Sequence, residues 1–424
     1  MTADSAPARR PLVAVAYGPR SVGAVQLADA AADVCDLMWV VDASQPEVDE
    51  MASLLRRFGP VVDVGGMGIE QAAREVGRYR PDGMVTYFDA GMMSVACIAR
   101  ELGLPFVSPE TALRLVDKLT QREALHLAGL AGPRFWAVPA GAGAAALAEI
   151  SPQVHWPAVL KPRSETGSHN TFLARDQRHA ELLLDQLGED RADMLLEEYL
   201  SDDPNWSHSP YADYVSVESI VAHGRISHLA ITGRFPQAET FRETGFFIPA
   251  DLDEDDQQAV LDLAGDAIRA LDVEFGCLHT EIKFTADGLR IIEVNGRIGF
   301  GVPAMLEQAA GFNLLATSLR VALGEHIAVD GPILCEGVGY RLFLQPPAIV
   351  GTVESIDGLS ELAEHEGVAS VQVHRGPGWQ VDWREGNRTF VIGVIGAAKD
   401  HSQVQAVRRM LANDVAVSYA SAEC

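Results

Sequence analysis

Hydrophobic positions fall first into short unbroken runs and later into alternating ones. Leu12 to Tyr17, Leu37 to Val41, Val61 to Val64 and Met84 to Phe88 are mostly apolar, as strands buried on both faces are, and helical stretches separate them. This pattern predicts a doubly wound α/β domain with a parallel sheet over residues 1–108. Pro109 to Leu130 reads as helix, with an amphipathic stretch opening at Asp117-Lys118 and ending at Gly129 and Gly132-Pro133. A loop rich in Ala and Gly, Pro139 to Pro152, follows. Strands are then expected at Ala158 to Lys161, from Phe172, at Met194 to Tyr199, Val215 to Ala222, Ile226 to Thr232, Leu278 to Phe284 and Arg290 to Val294. With helices at Gln177 to Leu187 and Asp255 to Leu271, residues 109–332 read as a mainly antiparallel α+β region. Residues 333–424 read as a small C-terminal α+β lobe. Its strands fall near Gly339 to Leu344, Ser370 to His374 and Thr389 to Val394, before a helix Ser402 to Leu411 and a strand Val415 to Tyr419.

A length of 424 residues fits two or three such domains, and 48% hydrophobic with 22% charged residues excludes a disordered, collagenous or coiled-coil chain. The formal charge of −26 repels nucleic acid and anionic membrane, so an anionic ligand needs a local cluster of cations. No apolar run approaches the roughly 20 residues of a membrane helix and no hydrophobic signal core follows the polar start, so a cytoplasmic protein is expected. Five scattered cysteines without a C-x-x-C pair suggest neither a disulfide framework nor a cysteine zinc site. Gly18-Pro19-Arg20-Ser21 follows the first strand but lacks the spacing of a dinucleotide loop, so a structural turn is expected. His208, alone in a polar loop, is expected at the surface.

Lysine is scarce: only Lys118, Lys161, Lys283 and Lys399 occur, and all other basic residues are arginine. A compact ammonium with three donors is therefore worth examining at each of the four.

The segment Cys277 to Arg297 carries the most chemistry. Two alternating runs around Asp287-Gly288 predict a hairpin. With a three-residue loop of Ala286, Asp287 and Gly288, Glu281 faces Glu293, His279 faces Asn295 and Lys283 faces Ile291. A two-residue Asp-Gly loop would instead split the two Glu between faces. Cβ atoms across a ladder lie about 4.5 to 5.5 Å apart, so two facing carboxylates call for something positive between them. Two Glu and an Asn suit Mg²⁺ or Mn²⁺ completed by phosphate oxygens. The alternative is a solvated edge on which Lys283 or Arg297 pairs the acids. Elsewhere, Lys161 ends a strand before the polar loop Pro162 to Thr171, where an ammonium and backbone N–H groups can surround phosphate; an ordinary exposed loop is the alternative.

Asp117-Lys118, Val159-Leu-Lys161-Pro, Leu196-Glu-Glu-Tyr-Leu200, the carboxylate hairpin and Glu293-Val-Asn-Gly-Arg297, in this order, resemble the ATP-grasp superfamily. Within it the chain looks most like the carboxylate-amine ligases that make dipeptides, the L-amino acid ligases. The resemblance implies an N-terminal α/β domain, an ATP-grasp fold over 109–332 and a C-terminal lobe. It implies that Lys118 and Lys161 bind the phosphates of ATP, under a loop that matches Ser164 to Asn170 and includes Ser168. Glu197, Glu198 and Leu200 then match the hinge that clasps adenine, and Tyr214 and Asp213 are rivals for ribose. Glu281, Glu293 and Asn295 match the Mg²⁺ ligands, and Arg297 matches an arginine that contacts the carboxylate and its acyl phosphate.

Thr232-Gly-Arg-Phe-Pro236 and Phe241-Arg-Glu-Thr-Gly-Phe-Phe-Ile-Pro249 resemble the family's substrate segment. Arg234 is thus matched to a substrate carboxylate and Glu243 to a substrate ammonium, unless the two pair with each other. Phe246 stands where the family usually has His, which implies a more apolar pocket, and Gly299 and Gly301 leave room for an elongated acid. Lys399 reads as an ordinary lysine at a helix start. The expected protein is an ADP-forming ligase joining a carboxylate to an amine, with Arg297 and Lys161 stabilising the reaction and a homodimer as the implied assembly. A bicarbonate-dependent carboxylase and a non-catalytic ATP-binding regulator are the alternatives.

Overall fold

In a computed structural model of the chain, residues 9–421 are described apart from positions 20, 142, 166, 189, 207, 208 and 240. The expectations for Arg20, His208 and Cys424 lie outside these residues. Four parallel strands, Leu12–Ala16, Asp36–Val41, Val61–Asp63 and Gly83–Thr86, form the first sheet. Because their residues are apolar on both sides, alternate positions feed two cores. Val13, Val15, Leu37 and Trp39 pack with helices Ala24–Ala31 and Leu314–Ala322. On the opposite face Ala14, Met38 and Val40 pack with helices Ile69–Gly77 and Met92–Leu102. The strand order is third, second, first, fourth, so a crevice opens at the carboxyl ends of Leu12–Ala16 and Gly83–Thr86, where the order reverses.

The predicted helix over 109–130 is two helices, Pro109–Val116 and Lys118–Leu127, broken at Asp117. Asp117 is extended (φ −106, ψ 109) because its carboxylate caps the second helix, accepting from the Thr120 N–H at 2.9 Å and from Arg163 at 2.8 Å. The cap sets Lys118 at the first helical position, pointed by the helix start.

A four-stranded antiparallel sheet follows, in the order Phe135–Val138, Met194–Glu198, Ala158–Pro162, Phe172–Ala174. Val138, Leu160 and Leu196 bury one face of it against Leu147 and Leu183 of helices Gly143–Ile150 and Gln177–Leu187. Most of the loop expected at 139–152 is therefore helix: an alanine-rich run has the highest intrinsic helix propensity, and the glycines only open it.

Eight antiparallel strands make the central sheet, in the order Gly288–Asn295, Phe275–Thr285, Tyr214–Ala222, Arg225–Arg234, Gly245–Ile248, Val338–Leu344, Ile392–Ala398, Val368–Val373. The strand Gly245–Ile248 is absent from the sequence reading because its four residues are too few to show alternation. It joins Arg225–Arg234 to Val338–Leu344, so the sheet runs unbroken past position 333. Thr389, expected to begin a strand, instead ends a 3₁₀ stretch, Trp383–Thr389, and the strand starts at Ile392. A last sheet of three strands, Gln380–Asp382, Val350–Asp357 and Ala416–Ser421, closes the chain. Lys399 is exposed and pairs with Glu366 at 3.0 Å, just ahead of helix His401–Asn413.

The cap yields a first prediction. Asp117→Ala lowers the unfolding free energy by about 1–2 kcal/mol in urea titrations, whereas Asp117→Asn, which keeps an acceptor, recovers most of it. Equal losses in the two variants would show that the Arg163 ion pair, not the cap, carries the effect.

Candidate active site

The hairpin Phe275–Thr285 and Gly288–Asn295 closes with two residues, Ala286 and Asp287, and Gly288 takes a left-handed φ of 96. Thr285 therefore pairs with Gly288, and Lys283 with Arg290 rather than Ile291. An irregularity after Ile282 then absorbs one extra residue, Ile292, and beyond it the expected pairing holds: Glu281 faces Glu293 and His279 faces Asn295. Turn and bulge offset each other, since a one-residue slip would send the two carboxylates to opposite faces. Arg122 donates to the carbonyl of Ile292 at the bulge.

The charges around the two acids are not those first considered. Lys283 is taken by Asp213 at 2.6 Å and Asp202 at 3.0 Å. Arg297 is taken by Asp89 at 2.7 Å. Lys118 is the residue whose ammonium lies 2.9 Å from Glu293, and it also donates to the Glu165 carbonyl at 2.6 Å. Glu281 has His279 Nε2 at 3.3 Å and Arg234 at 3.9 Å.

His279 in turn sits 2.9 Å from Glu218, a buried carboxylate that also accepts from Thr232 at 2.8 Å and Ser216 at 2.9 Å. Burial opposes charge on His279, but Glu218 and Glu281 outweigh it and push the imidazole up to about 9. Burial likewise opposes charge on Glu281, yet His279, Arg234 and Arg297 hold its carboxyl down to about 2. Gly299 is required here: a Cβ on it would meet His279 Nδ1 at 2.4 Å.

On the facing sheet Glu197 is buried between Lys161 at 2.7 Å and Arg122 at 2.9 Å. Burial lowers the Lys161 ammonium from its ordinary value, against the pull of Glu197. Glu198 pairs with Arg134 at 3.2 Å. Ser168, at a positive φ of 58, donates to the Phe241 carbonyl at 3.0 Å. The segment Trp383–Thr389 supports this loop, with the Asn387 N–H bonded to the Gly167 carbonyl at 3.0 Å.

A cavity of ≈ 580 Å³ lies between the two sheets, lined by Lys118, Lys161, Ser168, Glu197, Glu198, Leu200, Tyr214, Glu243, Glu281, Glu293, Asn295 and Arg297. Four predicted site residues, Arg234, Phe246, Gly299 and Gly301, stand outside that lining. Arg234 and Phe246 are buried beneath it, the guanidinium 4.4 Å from the ring centroid. No ion pair joins Arg234 to Glu243. One oxygen of Glu243, Oε2, is instead buried without any hydrogen-bond partner. Tyr214, a rival for ribose, is buried with its hydroxyl accepting from Gln237 at 2.7 Å.

Sequence reasoning missed Asp89, Arg122, Glu218 and Asn387. Asp89 follows the strand Gly83–Thr86 at the crevice of the first sheet, and its partner Arg297 lies 208 positions away; no local pattern links them. Among the described residues no group of three or more His, Cys, Asp or Glu is clustered for a metal. Glu281, Glu293 and Asn295 are a smaller all-oxygen set, which suits a hard divalent cation that takes its remaining ligands from phosphate and water. Cations, carboxylates and a roomy cleft together suit an anionic nucleotide with its metal. No helix among the described residues is long and apolar enough to cross a membrane.

No family model matches the chain. Over 333 residues it is 26% identical to the uncharacterized protein y4rH of Sinorhizobium fredii, covering 77% of this chain and 66% of that protein. Over 230 residues it is 28% identical to the alanine–anticapsin ligase of Bacillus subtilis, covering 51% of this chain and 48% of the ligase. The chain thus spans from about half to about two thirds of the length of these curated relatives. Its fold matches the crystal structure of an L-amino acid ligase from Bacillus licheniformis with a TM-score of 0.76 at 19% identity, over 97% of this chain and 99% of that one. The chain thus has the fold of an L-amino acid ligase and is similar over part of its length to an alanine–anticapsin ligase.

Proposed function

We propose that the chain is an ADP-forming ligase that joins the carboxylate of an amino acid or related acid to an amine. The observation that carries this reading is one cavity in which two facing carboxylates, Glu281 and Glu293, meet Lys118, Lys161 and Arg297. Glu281, Glu293 and Asn295 would hold Mg²⁺ or Mn²⁺, which when bound neutralises phosphate charge.

Lys118 turns from Glu293 to the phosphates, and Lys161, held by Glu197, faces them from the other sheet. Leu200 and the hinge backbone of Glu197 and Glu198 clasp adenine. Arg297, fixed by Asp89, orients the substrate carboxylate for in-line attack on the γ-phosphorus of ATP. ADP leaves and an acyl phosphate remains; the amine attacks the acyl carbon, the C–O bond to phosphate breaks, and phosphate departs. Arg297 stabilises the oxyanion that forms on the way. The amine reaches the site as an ammonium, and the unpartnered Glu243 Oε2 is the acceptor for it and for the proton it sheds. Burial raises the Glu243 carboxyl from its ordinary value, which suits a group that must take up a proton.

Release of ADP and phosphate from MgATP, measured against single and paired amino acids, tests the reading. Pairs are expected to stimulate release and to give a condensed product by mass spectrometry, and Glu293→Ala to lose on the order of a hundredfold or more. Release driven by bicarbonate alone would replace the ligase by a carboxylating enzyme. No stimulated release, with MgATP still bound, would leave a nucleotide sensor.

A separate prediction concerns Glu243. Glu243→Gln raises the KM for the amino substrate by about tenfold while the KM for ATP stays within a factor of two. A parallel rise in both would make Glu243 a structural residue.

A further inference from the structure

Arg341 is a half-buried cation without an anion. Its Nε is buried with no hydrogen-bond partner. Among the described residues no carboxylate lies within ion-pair distance of it, and desolvation is the cause that acts on its charge. Arg122, Arg297 and Arg375 are matched by acids, Glu197, Asp89 and Glu385, and the buried Arg242 donates to the Pro346 carbonyl. An unmatched guanidinium costs desolvation energy that something else must offset.

Its position relates it to the cavity. Arg234, Phe246 and Arg341 pair directly across three adjacent strands, so their side chains leave the sheet on one face. Arg234 identifies that face, because it reaches Glu281. Arg341 therefore stands two strands beyond, about 10 Å from Arg234 along the sheet, past the lining of the ≈ 580 Å³ cavity.

The segment that follows Arg297 passes over it. The Phe300 ring lies 4.0 Å from the Arg341 guanidinium carbon and is 55% exposed, and Phe343 lies at 5.4 Å. A Cβ on Gly301 would come within 2.9 Å of Arg341 Cδ, so the absence of a side chain there gives the arginine its place. Aromatic rings cover the faces of a guanidinium and leave its N–H edge open, and that edge is what a carboxylate binds with two parallel hydrogen bonds. Burial first, and then the charges of Arg341 and Arg375, lower the His374 imidazole from its ordinary value, and of these two arginines only Arg375 is matched by an acid.

We propose that Arg341 binds a second carboxylate, carried at the far end of the acid whose reacting end Arg297 holds. The substrate acid is then an extended dicarboxylate, such as an amino acid with a carboxylate side chain. The assignment to the acid rests on the ligase reading; the existence of the carboxylate site does not.

Isothermal titration of the full chain with glutarate and with glutaramate, its half-amide of the same shape, tests the site without turnover. Unaltered protein is expected to bind glutarate about tenfold or more tightly than glutaramate, and Arg341→Met to bind both alike. Arg341→Lys, which keeps the charge but loses the planar fork, is expected to fall between them and serves if Arg341→Met fails to fold. Equal binding of the two probes by the unaltered protein, or discrimination kept in Arg341→Met, overturns the site. Kinetics with glutamate or glutamine as the acid and one fixed amine then assign the source. A KM advantage for glutamate that Arg341→Met abolishes supports the acid, and a rise in the KM of the amine instead overturns that assignment. If no acid and amine pair releases ADP, the ligase reading fails while the glutarate titration still decides the site.

Discussion

Two carboxylates held face to face across a ladder are the constraint around which this molecule is arranged. Glu281 and Glu293 repel each other at the spacing that β pairing imposes, and the neighbouring residues can be understood as answers to that repulsion. Lys118 comes from a helix start fixed by Asp117, Arg234 and His279 come from within the sheet, and Arg297 is held at the edge by Asp89. Lys118, His279 and Arg297 are each secured in turn by a second acid or carbonyl, and Arg234 donates to the Ser216 hydroxyl. The result is a polar core in which charge is nearly everywhere compensated, so that a polyanion bound with a metal, as proposed above, would exchange partners there and create no new unpaired charge.

The same logic explains which parts of the fold were legible in the sequence. The buried strands of the first sheet and the alternating strands of the central sheet follow from local periodicity, and the structure has them; the facing of Glu281 with Glu293 rests on a three-residue turn, and the structure reaches it by a shorter turn and a bulge. The tight turn and the bulge at Ile292 escaped because they cancel: alternation on either side looks the same with both as with neither. The helix Gly143–Ile150 was hidden by flanking glycines that read as a loop. The strand Gly245–Ile248 was too short for a period to show, although it is the piece that joins two halves of the sheet.

Among the chemical residues, lysine scarcity was a fair guide, since three of the four lysines line the cavity. Pairings were less legible. Lys283 looked like a partner for the hairpin acids and instead ties down the segment around Asp202 and Asp213. Glu197 lines the cavity as expected, but its carboxylate is bound to Arg122 and Lys161. Arg122 and Asp89 act over long sequence separations, on groups whose need for a partner becomes visible only once the sheets are placed. Periodicity reports which face a side chain occupies; it does not report what stands across from it.

The helix Leu314–Ala322 has a consequence for how the chain acquires this structure. It closes one side of the first sheet, packing against helix Ala24–Ala31 and strand Gly83–Thr86 from far along the sequence. During synthesis from the amino terminus, helix Ala24–Ala31 covers only part of that face until the ribosome has delivered Leu314–Ala322. The first sheet is thus an early segment that matures late, and its contacts over long sequence distances place a slow step near the end of folding.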